Sequence, residues 1–229
     1  MSQLDYIRNT LKKDPRVFSE ICDFNDNVIK YLHDDHLAKL DCKKSILWEL
    51  SRNSRTRNAL NAYISKKLDL GSWYGDFSEQ RYGLCLFSRD DISLLSIYLG
   101  SVVYEQDIRK IVQHHELKQL KDQIGDAYYF SMKEADLLVK RSQIDALALP
   151  IFSGDIYAKI VQAGKFVISA CLAAIPQDLG LKFILKFPKN ETWDFSHETS
   201  MTDQCWEFTK KILGHLAGGE IHVPMMIGG

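Results

Sequence analysis

A chain of 229 residues, with 45% apolar and 26% charged side chains, has the make-up of a globular protein large enough to bury a core. Its formal charge of -1 supplies no global field to recruit nucleic acid or an anionic membrane. Five scattered cysteines without a C-x-x-C pair argue for a reducing compartment and against a zinc knuckle.

The N-terminus (MSQLDYIRNTLKKDPR) carries no apolar stretch of the kind a signal peptide needs. The most apolar run, 166–175, is too short to span a bilayer. The expectation is a soluble cytosolic protein.

Leu4, Ile7 and Leu11 predict a short amphipathic helix over 3–13, which stops before Pro15. Val17, Ile21 and Phe24, then Val28, Ile29 and Leu32, continue a helical pattern across a turn at Asn25-Asp26-Asn27. Asp41 is placed to cap a helix whose buried positions are Ile46, Leu47 and Leu50. A polar segment, 51–58, precedes a helix with Leu60, Tyr63, Ile64 and Leu68 inward. GSWYGDF at 71–77 is the clearest loop, and residues 82–87 alternate weakly, as a short strand does.

The central stretch, 88–126, organises the rest. Ser88 can cap a helix that carries Asp90 and Asp91 in its first turn, and Ile92, Leu95 and Leu99 mark its buried face. Gly100 breaks or tightens this run. A second helix is signalled by Tyr104, Ile108, Ile111 and Val112, and a third by Leu117, Leu120 and Ile124. Beyond it, helices are expected over 130–139 and 144–149, and an internal helix, apolar nearly all round, over 155–175.

Residues 181–187 alternate lysine with leucine and phenylalanine and read as a strand closed by Pro188. A last helix, about 201–216, buries Trp206, Ile212 and Leu213 ahead of a tail, EIHVPMMIGG. The fold class is therefore mostly α: a single-domain multi-helix bundle over 1–229, with at most one or two short strands.

Candidate chemistry is sparse. His33, Asp34 and His36, with His114, offer the ligands of a metal-dependent HD-like hydrolase, the alternative function. No histidine precedes His33, however, and adjacent His114 and His115 diverge by about 100° on a helix. There is no nucleophile elbow and no glycine-rich phosphate loop, so no catalytic residue, metal or cofactor is assigned. Cys171 lies in an apolar helix that raises its pKa and leaves it inert. Arg52, Arg55 and Arg57 form the one dense basic patch and are read as a solvated face, with RNA binding as a third option. Trp73, Tyr74 and Phe77 are the candidate partner-binding residues, because large aromatics make good interface anchors; the alternative is a loop that tucks them onto the core.

The order of features over about 60–215 resembles the SctK (YscK) family of type III secretion systems. An aromatic-apolar lead-in at 82–87 is followed by a leucine-rich helix closing on Leu99-Gly100. Next come Ile108-Arg109-Lys110-Ile111-Val112 and a helix reaching Ile124-Gly125 before Tyr128 and Phe130. The apolar helix 155–175 then leads into LKFILKFP. The N-terminal part to about 58 and the tail from 216 read as specific to this chain. The resemblance implies a non-enzymatic, cofactor-free sorting-platform accessory protein at the cytoplasmic face of the bacterial inner membrane. Its implied partners are the cytoplasmic domain of the SctD-type ring protein and the SctQ-type pod protein, and through them the stator and ATPase. Neither nucleic acid nor membrane insertion is implied.

Overall fold

The computed structural model describes residues 15–71 and 74–216, and every regular element among them is helical. The expected N-terminal helix and the MMIGG tail lie outside the described residues.

Helix α1 spans Pro15–Asp26. It buries Val17, Ile21 and Phe24 along one face. Two 3-10 turns, Val28–Lys30 and Asp34–Lys39, lead to a hairpin of α2 (Lys44–Arg52) and α3 (Ser54–Leu68). Only Asn53 separates the two helices, so most of the expected polar segment is helical; its side chain caps α3 by accepting from the Arg55 amide at 3.0 Å. Asp41 does not cap α2. It takes a left-handed conformation, with φ 48°, and pairs with Lys67 at 2.7 Å.

Ser88 caps α4 (Arg89–Val103) in a complete capping box with Asp91. Five short helices follow, α5 (Glu105–Arg109), α6 (His114–Ile124), α7 (Asp126–Lys133), α8 (Ala135–Leu138) and α9 (Arg141–Asp145), of which α5 and α7 pack on α4. The expected helix over 130–139 is thus two pieces, and Val112 is exposed rather than inward. Helix α10 (Ile156–Cys171), capped by Asp155, stops short of Pro176. Helices α11 (Gln177–Ile184) and α12 (Thr199–Leu216) complete the body.

The frame is the crossing of α4 and α10. A Cβ on Gly100 would lie 1.8 Å from the Ile160 carbonyl oxygen, and one on Gly164 would lie 1.8 Å from that of Ser96. Glycine is therefore required at both points for the backbones to approach, and Gly100 neither breaks nor ends α4. Around this crossing the larger apolar cluster gathers side chains from α1 to α12. A smaller one joins Val28, Ile29, Leu32, Leu40, Leu47, Leu60, Ile64 and Leu70 to the distant Leu185, with Leu181 packed against it.

The described residues contain no strand. Residues 82–87 fall largely in a 3-10 helix, Gln80–Leu86, and the 181–187 segment is the end of α11 and the turn after it. With no strand beside it, that backbone satisfies itself: the Leu185 amide donates to Leu181 at 3.2 Å and that of Phe187 to Ile184 at 3.0 Å. The lysines that read as the wet side of a strand are both 2% exposed.

Candidate interaction surfaces

The aromatic loop is anchored inward. Asn25 on α1 donates to the Tyr74 carbonyl at 2.7 Å and accepts from the Tyr74 amide at 2.8 Å, pinning the chain against the body. Phe77 is then 2% exposed, edge-on to Phe24 at 6.4 Å and to Tyr74 at 5.6 Å. Tyr74 is half-buried, with its hydroxyl pushed up to about 12 by burial, then by Asp76. Trp73 lies outside the described residues. Of the three aromatics named from the sequence, Phe77 therefore packs as core and Tyr74 lies against it.

The histidine group is divided. The His33 ring accepts from the Asp35 amide at 3.2 Å, while its own amide donates to Leu185 at 2.8 Å. His36 is buried, its Nε2 donating to the Phe187 carbonyl at 2.9 Å. Asp34 is held below its usual pKa by a hydrogen bond from Lys44. His114 opens α6, which packs against α10 and α7 rather than against the 3-10 turn that carries the other three. No group of three metal-ligating side chains occurs among the described residues.

A cavity of about 390 Å³ opens beside α1, with Glu20, Asp23 and Asp91 around it and Lys186 lining it. The Lys186 ammonium donates to the carbonyls of Cys85 and Phe87 and lies 5.2 Å from the ring of Phe24 and 5.4 Å from that of Tyr31. Burial lowers its pKa to about 8 and pushes the Cys85 thiol up to about 12. One helical turn earlier, Lys182 donates to Asn25 at 2.7 Å. Lys182 thus ties α11 to α1, and Lys186, in the turn after α11, ties that turn to the backbone just ahead of α4. Burial likewise raises Cys171 and Cys205, which keeps these thiols protonated.

Large apolar side chains face solvent at several places among the described residues: singly at Val112, Leu137 and Ile151, and on α2 and α7. On α2 only Leu47 of the three expected core positions is buried; Ile46 is 50% and Leu50 38% exposed, and Trp48 is 37% exposed on the opposite shoulder. The Arg52 guanidinium lies 5.9 Å from the Trp48 ring and pairs with Glu49 at 3.6 Å, while Arg57 donates to the Ser51 carbonyl at 2.9 Å. Arg55 is exposed. On α7, half-exposed Tyr129 sits between Lys121 at 5.9 Å and Lys133 at 5.8 Å. Neither surface was found from the sequence. The signal for α2 was its apolar arc, which spans more of the helix than its one packed face can cover.

No described helix is long and apolar enough to cross a membrane. The chain matches no curated protein and no solved structure. It does match a family model, YOP proteins translocation protein K (YscK), over residues 22–212. That match begins within α1 and takes in the α2–α3 hairpin. On this match, which covers most of its length, the chain belongs to the YscK family.

Proposed function

We propose that this type III secretion protein is a non-enzymatic adaptor. In this reading it bridges the cytoplasmic domain of the SctD-type inner-membrane ring protein to the SctQ-type pod protein, working at the cytoplasmic face of the inner membrane. The family match over 22–212 carries the proposal. Solvent-facing apolar side chains on different parts of the body support it: those of α2 lie beside the smaller core cluster, and Tyr129 of α7 beside the larger. A bridge needs two such surfaces, and exposed aromatic and aliphatic side chains held on rigid helices are good anchors.

The test is reconstitution from purified components. The chain is mixed with the ring protein's cytoplasmic domain and with the pod protein, singly and together, and complexes are resolved by size-exclusion chromatography with light scattering. A ternary complex is expected. Failure to bind either protein would refute the bridging role.

A further inference from the structure

The hairpin of α2 and α3 differs in charge from the rest of the molecule. Residues 43–68 carry seven basic side chains (Lys43, Lys44, Arg52, Arg55, Arg57, Lys66 and Lys67) against one acidic, Glu49, on a chain whose total is -1. Some of this charge is neutralised within the molecule: Lys44 pairs with Asp34, Lys67 with Asp41 and Arg52 with Glu49. Lys43, Arg55 and Lys66 are exposed and make no ion pair among the described residues. The same hairpin bears Ile46, Trp48 and Leu50 at its surface.

We infer that this hairpin is a docking face for an acidic protein surface, one whose carboxylates ring an apolar patch. The inference rests on the bridging reading and assigns this face to one of the two partners. Charge sets the partner's chemistry: the uncompensated cations attract carboxylates and set orientation, while Ile46 and Leu50, on one shoulder of α2, supply buried area. An anionic membrane shares the charge but fits the apolar groups less well. Ile46, Trp48 and Leu50 are each half-covered by the hairpin instead of standing clear of it, whereas a membrane-inserting face pushes its apolar side chains several ångströms into the lipid boundary.

The experiment compares wild type with the charge reversal Lys43→Glu/Arg55→Glu/Lys66→Glu and, separately, with Ile46→Ser/Leu50→Ser. Each is titrated against the purified ring-protein domain, against the pod protein and against phosphatidylserine vesicles, and melting is recorded for every variant. The expected result is that both variants lose ~10-fold or more in affinity for one protein partner and keep the other within about twofold, with weak vesicle binding. The wild-type affinity for the affected partner should also fall as salt rises. Wild-type binding that neither variant weakens overturns the assignment and leaves the bridge intact. Equal loss for both partners, or vesicle binding abolished by the charge reversal, overturns it as well. Wild type that binds neither protein removes the bridge and this docking face together.

Discussion

Replacing Lys186 by methionine removes a buried charge while keeping an unbranched chain of similar length. In the folded protein burial depresses the ammonium pKa to about 8, whereas an unfolded lysine titrates near its ordinary 10.5. Below pH 8 both states carry the proton, and the full cost of burying the charge, about 3 kcal/mol, is present. As pH rises through 8 the folded state releases its proton first. The unfolded state then binds more protons, and stability rises with pH. Integrated from pH 7 to pH 9, this gain is about 1 kcal/mol.

Cysteines oppose it. Cys85, Cys171 and Cys205 have raised pKa values in the fold, so above about pH 9 their ionisation favours the unfolded chain. The Lys186 charge lowers the Cys85 thiol, but burial keeps that thiol protonated in the fold up to pH 9 in either protein, so the difference between them over this range is the informative quantity. Urea unfolding of wild type and Lys186→Met at pH 7, 8 and 9 should show wild type gaining about 1 kcal/mol on the variant across the range. A difference independent of pH would refute the reasoning and place a normally titrating amine at this position.

Three further outcomes follow from packing. Gly100→Ala and Gly164→Ala each drive a methyl group onto a carbonyl oxygen across the α4–α10 crossing, and each should cost on the order of 3 kcal/mol by denaturant titration; a loss under 0.5 kcal/mol would mean the helices separate at little cost. Asn25→Ala removes the bonds to Ile21, Tyr74 and Lys182 together and should lower stability by about 3 kcal/mol, with faster proteolysis in the 74–79 loop; undiminished resistance there would show the loop is held otherwise. Phe77→Ala should cost about 3–5 kcal/mol as a core truncation, and the folded fraction should bind partners normally. Weaker binding with unchanged melting would return Phe77 to an interface role.

The long elements were legible because their signals agreed with one another. Ser88 with Asp91, and Ile92, Leu95 and Leu99 at helical spacing, define α4 twice over, and the apolar run of α10 admits only an internal helix. The 181–187 segment misled because lysine in alternation with leucine resembles a half-wet strand. Only the tertiary partners, Asn25 and the Cys85 and Phe87 carbonyls, reveal that the amines point inward. Ile46 and Leu50 were read as core since an apolar residue at helical spacing does not say which of two shoulders is covered. The aromatic loop was ambiguous in the same way: Asn25, 49 residues away from Tyr74, decides that Phe77 turns inward. The basic bias of 43–68 was present in the sequence but masked by the near-neutral total.

The bonds that close the N-terminal elements span unusual distances along the chain. His36 meets Phe187 across 151 positions and Lys182 meets Asn25 across 157, while Leu185 completes the smaller core cluster. On the ribosome this sets an order of events. The α2–α3 hairpin emerges early, yet its apolar floor stays open until residues 182–187 have left the exit tunnel. For that interval a basic, half-finished apolar surface is exposed to the crowded cell, so nascent chains stalled before residue 182 should be the ones that chaperones hold.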